Sequence, residues 1–168
     1  MSNILIGTAG YITGSYTGLA GVFGGEILAR ITKVSKPLLS LLGMSVVNSA
    51  LSMSLSGPVF STFSTGINLG AISLALTINP YPNLSDKDKS ITTFKGFFVG
   101  SIIYSTCFAA CELNSADNVL KHLIPTTIAV LTSYSASQSH QRRISHLRKR
   151  KTSVTQKRVN IKPVNDSR

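Results

Sequence analysis

Residues 37–85 contain no Asp, Glu, Lys, Arg or His. About a quarter of the residues in a soluble domain are charged, so a given window of that length is charge-free by chance on the order of once in a million times. A soluble fold also needs polar outer faces on its helices, and an uncharged run this long would present a large apolar surface to water. Lipid is the solvent that suits it. The expected fold is an all-α, polytopic transmembrane helix bundle.

The rest of the charge is segregated. Only 14% of the 168 residues are charged, and residues 1–139 carry seven Lys or Arg against five Asp or Glu. Residues 140–168 carry ten against one, so the net +11 divides into +2 and +9. The mean hydropathy of +0.23 therefore averages two unlike parts. Residues 1–139 are expected to form a transmembrane helical domain, and 140–168 a basic cytoplasmic tail, largely disordered because its apolar residues are too scattered for a core.

Apolar length sets the spans. Residues 4–29, with Glu26 their one charge, match the hydrocarbon thickness at the helical rise. A cleavable signal peptide is the alternative, but no Lys or Arg precedes the run and it is Gly-rich and long. Residues 38–79 are about twice a bilayer core as one helix, and Gly57-Pro58 breaks them into a hairpin of 38–56 and 59–79. The Asn79-Pro80-Tyr81-Pro82-Asn83 segment ends the third helix, and Asp86-Lys87-Asp88-Lys89 reads as a solvated loop. A fourth span covers 94–113, where Lys95 can extend its stem toward the headgroups. The fifth, 119–137, is the weakest, since Lys121, His122 and Pro125 lie near its start. The range is four to five spans.

Positive charges orient this arrangement. Five spans put Arg30, Lys33 and Lys36, then Lys87, Lys89 and Lys95, and then the tail, on one side. The N-terminus is expected outside and the tail in the cytoplasm, with the particular membrane left open. The Asn83-Leu84-Ser85 sequon would then stay unmodified.

Gly10, Gly14 and Gly18 recur every four residues on the first helix, with Gly7, Gly21 and Gly25 extending a glycine-zipper-like stripe. Gly66 and Gly70, and Gly96 and Gly100, repeat the spacing on the third and fourth helices. Small residues let backbones approach in lipid, either within one chain or between copies. Ser45, Asn48 and Ser52 on the second helix and Asn68 on the third are the deepest polar groups, and they need partners. They are candidates for interhelical contacts or for the lining of a conduit.

No catalytic motif emerges. His-Glu-x-x-His, Gly-x-Ser-x-Gly and a P-loop are absent, and the glycine repeat lacks a dinucleotide fingerprint's spacing. Glu26 is expected to pair with Arg30. Cys107 and Cys111 stand one helical turn apart and read as packing residues, while a metal site with Glu112 and His122 has no diagnostic spacing. No metal and no cofactor is expected.

Arg142, Arg143, Arg148, Lys149, Arg150 and Lys151 directly follow a membrane segment, so anionic lipid headgroups are their expected partner. Ser145, Thr152 and Ser153 beside them are candidate phosphorylation switches. Nucleic acid ranks below lipid, because aromatic interleaving and a reader module are missing. The expected role is a non-enzymatic membrane assembly or scaffold component, with a second copy or another membrane protein as candidate partner. The rival is a channel, pore or transporter subunit oligomerising through the first helix.

Overall fold

The computed structural model describes residues 3–55, 60–78 and 84–160, with side chains described up to residue 150 except at 149. The Gly57-Pro58 turn, the 79–83 segment and residues 161–168 lie outside the described residues. Five α-helices follow one another: α1 (Asn3–Thr32), α2 (Lys36–Ser54), α3 (Ser61–Thr77), α4 (Asp86–Leu113) and α5 (Asn118–Asn160). The result is an all-α, five-helix bundle.

Local chemistry sets the ends. Lys33, at a left-handed φ of 57°, turns the chain out of α1 while its amide still donates to Ala29 O at 3.0 Å. Pro37 then opens α2, where a missing amide proton costs nothing. At α4 the Ser85 hydroxyl accepts from the Asp88 amide and donates to its carboxylate at 2.8 Å, a serine cap reinforced by acid in the first turn. That cap explains a correction. Residues 86–89, expected as a loop, are the first turn of α4, because their acids face the positive end of the helix.

A second difference is larger. The helix begun at Asn118 runs on to Asn160, so residues 140–160 are helical where a disordered tail was expected. Composition misled here because a helix that leaves a bundle needs no apolar face of its own while the preceding turns template it. At 1.5 Å per residue, α5 is about 64 Å long, twice a bilayer core.

The chain runs up and down. α1 packs on α2 and α3, α5 packs on α2, α3 and α4, and among the described residues α1 makes no contact with α4 or α5. α2 and α3 therefore form the middle of the bundle. Among the described residues two helices, α2 and α4, are long and apolar enough to cross a membrane by length and composition. α3 has 17 residues, and Gly, Ser, Thr and Tyr occupy nearly half of α1.

Candidate functional site

The side chains inside are small or polar. Ser40, Ser45, Asn48, Ser49, Ser52, Ser64, Asn68, Thr92, Thr126, Ser133 and Ser137 are all buried, and among the described residues no Asp, Glu, Lys or Arg joins them. The large apolar side chains that share the core come mainly from α2 and α3: Leu41, Met44, Ile67, Ile72 and Leu76.

Glycines bring the backbones together. A Cβ at Gly10 would overlap the Phe63 carbonyl, at Gly14 the Ile67 carbonyl, at Gly21 the Gly43 carbonyl and at Gly25 the Leu39 carbonyl. Gly66 and Gly70 answer from α3 against the Gly7 and Tyr11 carbonyls, and Gly18 faces the side chains of Met44 and Leu74. Along α4, a Cβ at Gly96 would stand 2.6 Å from Leu76 Cδ2, and one at Gly100 would stand 2.8 Å from both Ile72 Cγ2 and Ser133 Cβ.

Two asparagines tie the five helices. Asn48, 0% exposed, donates from Nδ2 to Gly14 O on α1 at 2.9 Å and to Ile67 O on α3 at 3.1 Å. Its Oδ1 accepts from Thr17 at 3.0 Å. Asn68, also 0% exposed, has Ser52 Oγ at 3.2 Å, Ser64 O at 3.1 Å and Tyr104 Oη at 3.0 Å around Nδ2, three acceptors that share its two N–H groups. Its Oδ1 lies 2.8 Å from the donor Thr126 Oγ1. Asn48 thus joins α1, α2 and α3, and Asn68 joins α2, α3, α4 and α5. A buried amide without partners costs about 1–3 kcal/mol, so these bonds specify one arrangement of helices. Ser45 returns its hydroxyl to Leu41 O at 2.9 Å. Ser45, Asn48, Ser52 and Asn68 are all at most 1% exposed.

Pro125 lies inside α5 and cannot donate to the carbonyl four residues back. The neighbouring His122 carbonyl accepts from Thr126 at 2.7 Å and from Ser49 on α2 at 3.2 Å. Below residue 55, a cavity of about 200 Å³ opens between Ser52, Ser64, Thr65, Tyr104 and His122. Ser64 Oγ and His122 Nδ1 are buried there without hydrogen-bond partners.

The α4–α5 pair is bounded by ions. Lys121 meets Glu112 at 3.1 Å at one end, and Arg148 meets Asp88 at the other. The Asp88 carboxyl is held below its ordinary pKa of 3.8 by the Ser85 hydroxyl first, burial opposing, and then by Arg148. Glu26 pairs with Lys36 at 3.0 Å rather than with Arg30, because the short turn after α1 folds Lys36 back onto it. Arg142, Arg143, Arg148 and Arg150 stand exposed along α5, and the side chains of Lys149 and Lys151 lie outside the described residues.

Cys107 and Cys111 are half-buried free thiols. Glu112 is taken by Lys121, the His122 ring packs on Phe108 at 5.9 Å, and among the described residues no metal-binding group of His, Cys, Asp and Glu converges.

Sequence reasoning missed Thr17, Tyr104 and Thr126 as asparagine partners. A signal existed for one of them: Thr92, Gly96, Gly100 and Tyr104 follow each other at four-residue steps, and all four are buried. No family model, curated protein or solved structure matches the chain.

Proposed function

We propose that the chain is a multi-pass membrane protein acting as a non-enzymatic assembly or scaffold unit, N-terminus outside and basic helix in the cytoplasm. One observation carries this reading: large apolar side chains cover the outside of the bundle, while inside it uncharged polar side chains share the core with apolar ones. Ile4, Leu5, Ile12, Tyr16, Phe23, Ile27 and Ile31 stand exposed on α1, as do Phe94, Phe98 and Ile102 on α4 and Ile124 and Ile128 on α5. Each such side chain left in water forgoes about 1.5–3 kcal/mol of burial, and in hydrocarbon that penalty vanishes. Small residues and interhelical amide bonds are what holds helices together there, where apolar burial no longer discriminates.

The ionic residues fit the same setting. Glu26, Lys36, Asp88 and Arg148 pair at the proposed cytoplasmic end, and Glu112 and Lys121 at the other. The scaffold role rests on the hydrogen bonds of Asn48 and Asn68, which are spent between helices instead of facing a solvent-filled cleft.

The rival reading, a channel or transporter subunit, draws on the 200 Å³ cavity with its unpartnered Ser64 and His122. Its oligomer would use a face other than the α1 glycines, which α2 and α3 already cover. Alkaline extraction of membranes tests the membrane assignment, with the chain expected in the pellet. A reporter on the C-terminus is expected on the cytoplasmic face. Solute flux in vesicles containing the purified chain alone would favour the channel. A co-purifying membrane protein without flux would favour the scaffold.

A further inference from the structure

Facing the proposed cytoplasmic membrane surface, α4 and α5 enclose a groove of about 400 Å³ lined by Phe94, Lys95, Phe98, Val99, His140 and Arg143, with Ala136 and Ser139. It follows from the antiparallel register that sets Gly96 against Ser137, which places Lys95 on one helix beside His140 on the other. The groove has two unlike walls. The rings of Phe94 and Phe98, 67% and 56% exposed, stack 6.2 Å apart on α4. Lys95 stands beside them on α4 and Arg143 across the groove on α5, two cations with no acid partner among the described residues, and with Arg143 comes the His140 imidazole, whose Nε2 is buried with no hydrogen-bond partner.

We propose that this groove binds the phosphate of an anionic phospholipid, with Lys95, Arg143 and His140 Nε2 on the headgroup and the acyl chain along Phe94, Phe98 and Val99. The inference rests on the membrane reading and deepens it, moving specific recognition from the far tail to the α4–α5 junction. Two unpaired cations beside a buried, unpartnered nitrogen are a poor arrangement for an empty groove, and one anion answers all three at once. The apolar wall selects a lipid over free phosphate, since an inorganic anion leaves Phe94 and Phe98 uncovered.

The charges facing His140 agree. Burial lowers its pKa first, then Lys95 and Arg143, while Asp88 on α4 opposes them. Asp88 is itself engaged by Ser85 and Arg148, which leaves the cationic side open to an anion from outside.

The test uses the full chain in nanodiscs of phosphatidylcholine with a minor fraction of phosphatidic acid, and reads which lipid stays bound on mild delipidation. Enrichment of phosphatidic acid is expected, falling roughly tenfold or more in Lys95→Gln/Arg143→Gln. It should hold in the charge-matched control Arg30→Gln/Lys33→Gln. An unchanged unfolding midpoint establishes that both variants fold. Equal loss in both would make the preference a general surface charge and overturn the site. Displacement by inorganic phosphate at the same occupancy would assign it to a free anion and overturn the lipid. A histidine-ring NMR titration gives an independent readout: bound phosphatidic acid should raise the pKa of His140, and an unmoved titration would overturn the groove. Solubilisation of the chain by alkali fails the membrane reading instead, before any lipid is added.

Discussion

The α1–α3 trio and the α4–α5 pair both pack through glycine, but against different things. In the trio, Gly10, Gly14, Gly21, Gly25, Gly66 and Gly70 lie on backbone carbonyls of the facing helix. In the pair, a Cβ at Gly96 or Gly100 would come nearest to the methyl ends of Leu76 and Ile72 from α3, with Ser133 Cβ equally near at Gly100, and would lie only 3.0–3.2 Å from the Ser133 and Ala129 carbonyls of α5. Backbone cannot rotate out of the way and a side-chain tip can. Register is also held differently, by Asn48 inside the trio and by ion pairs at both ends of the pair. The trio is therefore specified by fit that tolerates nothing larger, and the pair by its ends.

Gly14→Ala should show this most strongly. Its methyl would enter the Ile67 carbonyl, and the Gly14 and Ile67 carbonyls are the two acceptors of Asn48 Nδ2. Overpacking and the lost amide bonds together should cost about 3 kcal/mol or more, read as the unfolding midpoint of the purified chain. A Gly14→Ala variant no less stable than Gly100→Ala would erase the distinction between the two regions.

Asn68→Ala comes next, because this residue joins the trio to the pair. Removing its amide takes the hydrogen bonds to Ser52 and Tyr104 and leaves Thr126 only the His122 carbonyl, and the expected loss is about 1–3 kcal/mol. A cycle with Thr126→Val should give clear non-additivity, since the two share one hydrogen bond. Additive losses would mean that the halves dock without this node.

Two glycine changes sharpen the contrast further down the scale. Ala is a better helix former than Gly by about 0.8–1.0 kcal/mol, and this gain offsets part of any clash. Gly100→Ala should cost about 1–2 kcal/mol, less than Gly14→Ala, as Ile72 turns aside but Ser133 Cβ cannot. No heavy atom lies within 4 Å of where a Cβ on Gly24 would sit, so Gly24→Ala should stabilise by up to about 1 kcal/mol. Destabilisation by Gly24→Ala would show that its face of α1 is covered by something outside this chain.

Much of the bundle was legible, and what escaped has physical reasons. The glycine spacing of α1, α3 and α4 marks small helix faces, because four residues return nearly to the same side. Spacing says nothing of what lies opposite, so the carbonyl contacts of Gly14 and the side-chain contacts of Gly100 looked alike in sequence. Asn48 and Asn68 stood out as polar groups in an apolar run, whereas Thr17 and Thr126 are common helix residues whose role depends on a partner helix. Composition put residues 140–160 outside the core, but could not reveal that α5 continues through them. It also hid Ser85, whose capping role depends on the acid three positions on.

The ion pair at the foot of the α4–α5 hairpin gives the smallest effect and the clearest sign. Asp88 has a depressed pKa in the folded chain, so its contribution is fully present above the ordinary value of 3.8 and is lost as pH falls through the lowered one. Protonation removes the acceptor of Arg148 and weakens the Ser85 cap together. Amides of α5 around Arg148 should then exchange faster with solvent. Asp88→Asn should bring the same local loosening at neutral pH and flatten that low-pH step. The whole-chain midpoint should hardly move, since an exposed ion pair contributes little. If exchange instead rose evenly along α5, the pair would be registered by its glycine seam alone, and the contrast with the trio would lie only in what each glycine touches.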